Sequence, residues 1–557
     1  MSKEIVWSRM NLKEVTPEIL YPLTQSSFIN SNKLLFIEQY KKMGYYLPED
    51  TEFIRVFHGR AYFNMNVMSK IFSDLMSDPD LMKVSFGGSR SDLIENIDVD
   101  ELSLFGRIKM LPVYIKILLL FNNIDRISEA AFATIRERYR VYSDKDMKTL
   151  TDKETPGYID SMGEMVKSDL TIIITAGVCQ SYMVLRDFLK SFMPIEELDD
   201  VINQLVTGSG DIITANQNFA LMRLAGDAKN DGAILEALED SRPYERLEGT
   251  RFRQMFDGFL QEFGHRGLYE TSIESPRYYE DPDSVLKIIK NYVTAGMIDP
   301  QETINRQRKV REAAVENVLK HIRDSKFSYV KKKLFQRHLE GYKRFLALRE
   351  KNRYHCAMTI ALYRRSCLEL GRRFAEKGIL DEQHDIFFLT FLEAQKLLRG
   401  EMSGFNKKVV DERKSERETN SRYHVPDVFV GEFKPGMVKE NVREPKNVFT
   451  GYAASSGIVQ GKARIIHSPE EFGRFKAGEI LVAPTTDPMW STLFPVAKAV
   501  VTEMGGVLSH AAIIAREYGT PCVVNVQGIV DALEDGDLIE VDGTSGLVRI
   551  INKEIIS

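Results

Sequence analysis

The segment Val500-Val-Thr-Glu-Met-Gly-Gly-Val-Leu-Ser-His-Ala-Ala-Ile-Ile-Ala-Arg-Glu-Tyr-Gly-Thr-Pro-Cys-Val-Val leaves few folds open. Its β-branched opening reads as a strand ending near Thr502, and Gly505 and Gly506 permit the tight turn that must follow. Ser509 is a good N-cap, so the segment predicts a helix over 511–518 with His510 in its first turn. Gly519 and Pro521 close that helix and start another strand. The first N–H groups of a helix lack intrahelical partners, and the macrodipole adds partial positive charge, which favours an anion there by roughly 0.3 to 2 kcal/mol. A phosphoryl group on His510 would sit where negative charge is best tolerated, and the small side chains of Ala511 and Ala512 leave the imidazole approachable.

Around this segment the chain reads as an α/β unit over 451–557. Short β-rich runs over 457–466, 479–483, 498–502, 522–526, 538–541 and 547–551 are separated by Gly, Asp and Pro. Residues 1–403 read differently. Apolar residues recur there at three- and four-residue spacing, as in 304–322, 335–349 and 354–377, the last ending at a C-terminal glycine, Gly378. A small sheet is expected over 53–64 around Gly59. Between them, 404–450 reads as a linker with scattered prolines, its first half, 407–422, compatible with a helix. The expected architecture is therefore multidomain: a mainly α-helical domain followed by a small α/β domain.

Composition removes other function classes. Seventy-five basic and 80 acidic residues, net charge −5, give no basic footprint for nucleic acid. The apolar stretches 117–121 and 170–178 fall short of the roughly 18–20 residues that span a bilayer, and the start of the sequence lacks a secretory pattern. No membrane partner is expected, and the expected location is the cytoplasm. Cys179, Cys356, Cys367 and Cys522 form neither a CxxC pair nor a metal-ligand cluster, and buried thiols are the plain reading. His58, His321, His338, His355, His384, His424 and His467 read as ordinary structural histidines.

The order and spacing of Gly457-Ile-Val-Gln-Gly-Lys-Ala-Arg, Gly478-Glu-Ile-Leu-Val-Ala-Pro, Thr486-Asp-Pro-Met-Trp-Ser-Thr-Leu-Phe and the His510 segment resemble the mobile phosphohistidine domain of phosphoenolpyruvate-utilising enzymes. That group contains phosphoenolpyruvate synthase, pyruvate phosphate dikinase and rifampicin phosphotransferase. The resemblance implies that His510 is phosphorylated and that its domain swings between two sites, with Asp487, Trp490 and Arg516 at recurring family positions. Upstream, Trp7-Ser-Arg-Met-Asn-Leu-Lys-Glu-Val, Tyr21-Pro-Leu-Thr-Gln-Ser, Gly59-Arg-Ala-Tyr-Phe-Asn, Gly264-His-Arg-Gly with Ser275-Pro-Arg-Tyr-Tyr-Glu-Asp-Pro, and Leu348-Arg-Glu-Lys-Asn-Arg are similar to the acceptor domain of the rifampicin phosphotransferase and synthase-like members. By that likeness Arg349, Glu350 and Arg353 lie near the docked histidine, although Arg353 stands where a lysine is expected, which keeps the charge and changes the geometry.

His265, Arg266 and Arg277 form a second candidate cluster. His265 has the pKa range of a general base, and the arginines read either as substrate contacts or as structural ion pairs. Relatives in one chain begin with an ATP-grasp domain, whereas here the acceptor-domain motif starts at Trp7, and no GxxxxGK[ST] loop replaces the nucleotide site. The resemblance thus implies a separate ATP-grasp subunit that supplies the phosphoryl group from ATP with Mg2+, an arrangement similar to phenylphosphate synthase. The expected function is a phosphotransferase subunit whose acceptor is a hydroxyl of a small, aromatic or apolar compound. The competing reading is a non-catalytic phosphocarrier whose phosphorylation state controls partner docking.

Overall fold

The computed structural model describes residues 4–10, 12–16, 19–76, 94, 97, 102–161, 163–208, 213–267, 269–296, 300–402, 404–423, 425–432, 447–486, 488–506 and 509–552. Its N-terminal part is helical with one small antiparallel sheet. The strands β1 (Val6–Ser8), β2 (Ile54–Phe57), β3 (Arg60–Asn64) and β4 (Val428–Val430) run in the order β2-β3-β1-β4. The small sheet expected around Gly59 contains a hairpin that turns on His58 and Gly59, both left-handed at φ 48° and 74°, the pair that a two-residue β-turn requires. The pairing of β4 with β1 changes the reading of 404–450 as a linker. A helix, Lys408–Ser421, and β4 fold back onto the first domain, with Val410 and Phe429 buried. Residues 433–446 lie outside those described.

The frame of this part is one helix, Ser328–Glu376, of 49 residues, where the periodicity predicted two. No Gly or Pro separates Arg349 from Tyr354, so nothing breaks the backbone ladder between the two apolar segments. Against it packs the helix Thr171–Lys190. The contact depends on Gly177, since a Cβ there would collide with the ring of Phe345. Within Met165–Lys190 one 18-residue window reaches a mean hydropathy of 1.3, a longer apolar run than the sequence reading allowed, because Thr175, Gln180 and Ser181 interrupt it without ending it. In this fold Ile173, Ile174, Val178, Cys179 and Leu185 of that helix are buried in the helical core.

The C-terminal part is a mixed sheet in the order β5-β12-β11-β7-β8-β9-β10-β6. Its strands are β5 (Val448–Thr450), β6 (Tyr452–Ser455), β7 (Ile458–Ile465), β8 (Ile480–Ala483), β9 (Ala499–Thr502), β10 (Cys522–Val524), β11 (Leu538–Asp542) and β12 (Leu547–Asn552). The central pairs β7–β8, β8–β9 and β9–β10 are parallel, and β8, β9 and β10 are buried throughout, as strands covered on both faces are. Ala511, Ile514 and Tyr518 share one apolar cluster with Tyr182, Leu198 and Tyr342 of the helical part, so the C-terminal part packs on the helical part.

Candidate functional site

His510 is placed by its immediate neighbours. After β9, the Thr502 hydroxyl donates to the Met504 carbonyl at 2.6 Å, and Gly505 turns the chain at φ 125°, a conformation closed to most side chains. Ser509 Oγ accepts from the Ala512 N–H at 3.3 Å and caps the helix His510–Tyr518, which starts one residue earlier than the sequence predicted and ends at left-handed Gly519. His510 is 3% exposed, and neither ring nitrogen has a hydrogen-bond partner among the described residues. A buried, unpartnered imidazole leaves a hydrogen-bonding group unmet.

The long helix supplies the facing wall. Arg349, Asn352, Arg353, Cys356, Thr359 and Tyr363 line a cavity of about 520 Å³ together with Gly506, Ser509 and His510. The far side is apolar and includes Phe36, Phe72 and Ile174. Asn352 Nδ2 is held at 3.0 Å from both Asp169 Oδ1 and Thr171 Oγ1, which fixes the start of the helix Thr171–Lys190 at the cavity edge.

A buried charged layer stands behind Arg349 and Arg353. Arg266 Nε lies 2.5 Å from Glu270 Oε1, and Arg353 Nε lies 3.4 Å from Glu270 Oε2. Arg266 Nη1 also donates to Gln217 Oε1 at 2.8 Å and Thr214 Oγ1 at 3.3 Å. The Thr214 hydroxyl donates to Glu350 Oε2 at 3.2 Å, while Arg349 Nη1 pairs with Glu350 Oε1 at 3.5 Å, too far for a hydrogen bond. Burial alone would raise the Glu270 carboxyl, yet Arg266 and Arg353 hold it below its ordinary value. Burial pushes the His510 pKa well below the usual histidine value, and Arg353, Arg266 and Arg349 push it further. The imidazole is therefore neutral at pH 7, with a lone pair available to phosphorus, and the same cations would stabilise a phosphoryl dianion once it is attached.

The structure brings His510, Ser509, Gly506, Arg349 and Arg353 to one cavity, with Gly505 in the turn beside it and Glu350 and Arg266 in the layer behind. It places His265 and Arg277 elsewhere, against the expectation of a base and of substrate contacts. His265 is buried between Tyr354 and Tyr139, at ring distances of 4.6 and 5.7 Å, and burial, Arg266 and Arg277 lower its pKa. Arg277 donates to the carbonyls of Ser272 at 2.7 Å and Glu270 at 3.3 Å, holding a loop. None of His265, Arg266, Arg277 and Glu350 lines the cavity. Arg516 donates to the Ala454 carbonyl at 2.7 Å, and Trp490 packs on Phe472, while Asp487 and His424 lie outside the described residues. The sequence reading does not place Asn352, Cys356, Thr359 and Tyr363 at the site, and takes Cys356 for a buried thiol where it is only half-buried, although positions 349, 352, 353, 356, 359 and 363 repeat at the spacing of one helix face.

Two segments match family models: 170–350 the fourth domain of rifampicin phosphotransferase, and 475–546 the mobile domain of PEP-utilising enzymes. Similar curated proteins include rifampicin phosphotransferases of Bacillus cereus, 28% identical over 70% of this chain and 45% of that protein, and of Streptomyces sviceus, 28% over 76% and 49%. An uncharacterized phosphotransferase of Bacillus subtilis is 31% identical over 58% of this chain and 40% of its own length. The chain spans about half the length of the curated relatives it matches.

Proposed function

From the premise that this chain is a rifampicin phosphotransferase-like member of the PEP-utilising enzyme family, we propose that it is a phosphotransferase whose His510 carries a phosphoryl group to an acceptor hydroxyl. The single observation behind this reading is the buried, unpartnered His510 facing Arg349 and Arg353 across an apolar cavity. In the transfer the N–P bond of phosphohistidine breaks and an O–P bond to the acceptor forms, in line. Arg349 and Arg353 hold the phosphoryl oxygens, Glu350 in the layer behind pairs with Arg349 and positions it, and the acceptor proton goes to the imidazole nitrogen of His510 that phosphorus leaves. A cavity of about 520 Å³ with an apolar far wall selects a small apolar or aromatic compound bearing one reactive hydroxyl.

Loading requires a nucleotide and magnesium. The residues facing His510 are guanidiniums and no three His, Cys, Asp or Glu side chains converge among the described residues, a donor set unsuited to Mg2+. In this reading loading is assigned to a separate ATP-grasp partner, to which the carrier domain moves after it leaves the helical domain. Incubating the chain with γ-labelled ATP and an ATP-grasp protein should give acid-labile label on His510, which then moves to an apolar alcohol or phenol. Label that forms on His510 and never leaves it would instead support the phosphocarrier reading.

A further inference from the structure

The helix Leu104–Asn122 presents an apolar face that no other described element covers. Phe105, Ile108, Leu111, Ile115, Leu118 and Leu119 are each between 50 and 66% exposed. At about 3.6 residues per turn these six fall within about 140° of arc, so they form one stripe rather than scattered side chains. The opposite arc is anchored: Met110, Val113, Ile117, Leu120 and Phe121 pack on the core. The Tyr114 hydroxyl donates to the Asp74 carbonyl at 2.7 Å, tying the helix to Met65–Met76, whose Phe72 lines the cavity. Scattered exposed apolar residues are ordinary on a surface, but a contiguous stripe of this size marks something that binds.

Charge selects the occupant. Arg107 falls at one edge of the apolar arc and Lys109 and Lys116 at the other, all three exposed, and the helix contains no Asp or Glu. Lys109 lays its ammonium 4.7 Å from the Phe105 ring centroid, its stem covering apolar surface as an interfacial lysine does. A second copy packed face to face on this stripe would set cations against cations. A lipid surface supplies an apolar layer bounded by phosphates, which matches an apolar stripe bounded by cations. We propose that this face rests on an anionic membrane surface, the helix lying in the interfacial plane with its apolar stripe in the acyl boundary and Lys109 and Lys116 at headgroup phosphates. The proposal revises the expectation of no membrane partner and stands whether or not His510 transfers phosphate.

Flotation of the full chain with vesicles tests it. The chain should float with phosphatidylcholine vesicles containing phosphatidylglycerol, less with pure phosphatidylcholine, and less as salt rises. Ile108→Asp with Ile115→Asp should lower the bound fraction at least about tenfold, and Lys109→Glu with Lys116→Glu should lower it on anionic vesicles alone. These four side chains are exposed, and unchanged thermal unfolding together with unchanged His510 labelling would show that the fold and the carrier chemistry are intact. The proposal is overturned by absence of flotation, by equal flotation of the Ile108→Asp/Ile115→Asp variant, or by equal binding to neutral and anionic vesicles. It is also overturned if sedimentation finds a dimer that those aspartates dissociate without any lipid binding, which assigns the face to a second copy.

Discussion

In the carrier domain His510 owes its position to residues adjacent in the chain: Gly505 turns the backbone, Ser509 caps the helix and Gly519 ends it. The wall opposite is assembled from distant segments, Phe36 from one helix, Ile174 from a second, and Arg349 and Arg353 from the 49-residue helix. The local construction fixes one atom's environment and leaves little room for variation. The distributed one can change its apolar lining without disturbing the histidine. In the proposed reading, that difference puts the chemistry in the C-terminal domain and the choice of acceptor in the helical one.

The sharpest way to break that comparison is at His510. His510→Ala should abolish acid-labile label and acceptor turnover, a loss of at least about 10³-fold, measured with γ-labelled ATP and the loading partner. Unchanged turnover would falsify the carrier assignment. Arg349→Ala and Arg353→Ala sharpen it from the other side. Each should slow transfer about 10²- to 10³-fold while label still forms on His510, if loading takes place on a separate partner as proposed. Arg353→Lys should recover part of the rate, since charge is kept and the fork is not.

The same contrast explains what could be read in the sequence. The strand, glycine turn, cap and helix around His510 were legible because each is a short-range rule, and six strands of the carrier sheet were placed to within two residues. The edge strands β5 and β6 escaped, being three and four residues long and defined by their partners rather than by their own pattern. The cavity was only half legible. Arg349 and Arg353 came from a resemblance, whereas Phe36 and Ile174 approach them only in the folded chain. His265 and Arg277 sat beside the right motif, but their neighbours turn them inward. Tyr139 and Tyr354 enclose the imidazole, and loop carbonyls take the guanidinium.

Those inward residues give the next test. Arg277→Ala removes a buried cation that holds two carbonyls and should cost about 2–4 kcal/mol of stability in denaturant unfolding, with transfer retained in the folded fraction. His265→Asn should change the transfer rate by no more than about threefold at any pH, since the ring does not reach the cavity. A loss as large as that of Arg349→Ala would restore it as a base and erase the distinction between the two layers.

The smallest expected effect is set by pH and separates docking from folding. His510 and His265 are pushed well below the usual histidine range by burial and neighbouring arginines, and His355 to about 4 by burial above all. A base with a depressed pKa binds fewer protons when buried, so the stability it allows is complete above its unfolded value near 6.5 and is lost as pH falls below it. For His355 that window runs from about 6.5 down to about 4. His265 and His355 are enclosed within the helical domain and are released only by unfolding. His510 needs no more than departure of the carrier domain, held by Asn218 donating to Ser491 at 3.0 Å and Arg306 donating to the Tyr518 carbonyl at 2.7 Å. Energy transfer between labels on the two domains should therefore report undocking that grows by up to about tenfold per pH unit below 6.5, before unfolding begins. Asp200, raised chiefly by burial and in contact with Ser456 across the interface, acts in the opposite sense toward the acid end, in the parent and in a His510→Gln variant alike. The difference between those two proteins isolates the histidine: undocking that grows as pH falls below 6.5 is expected in the parent and not in His510→Gln, which keeps only the opposite trend from Asp200. Equal slopes would mean that desolvating this imidazole is not what opposes docking.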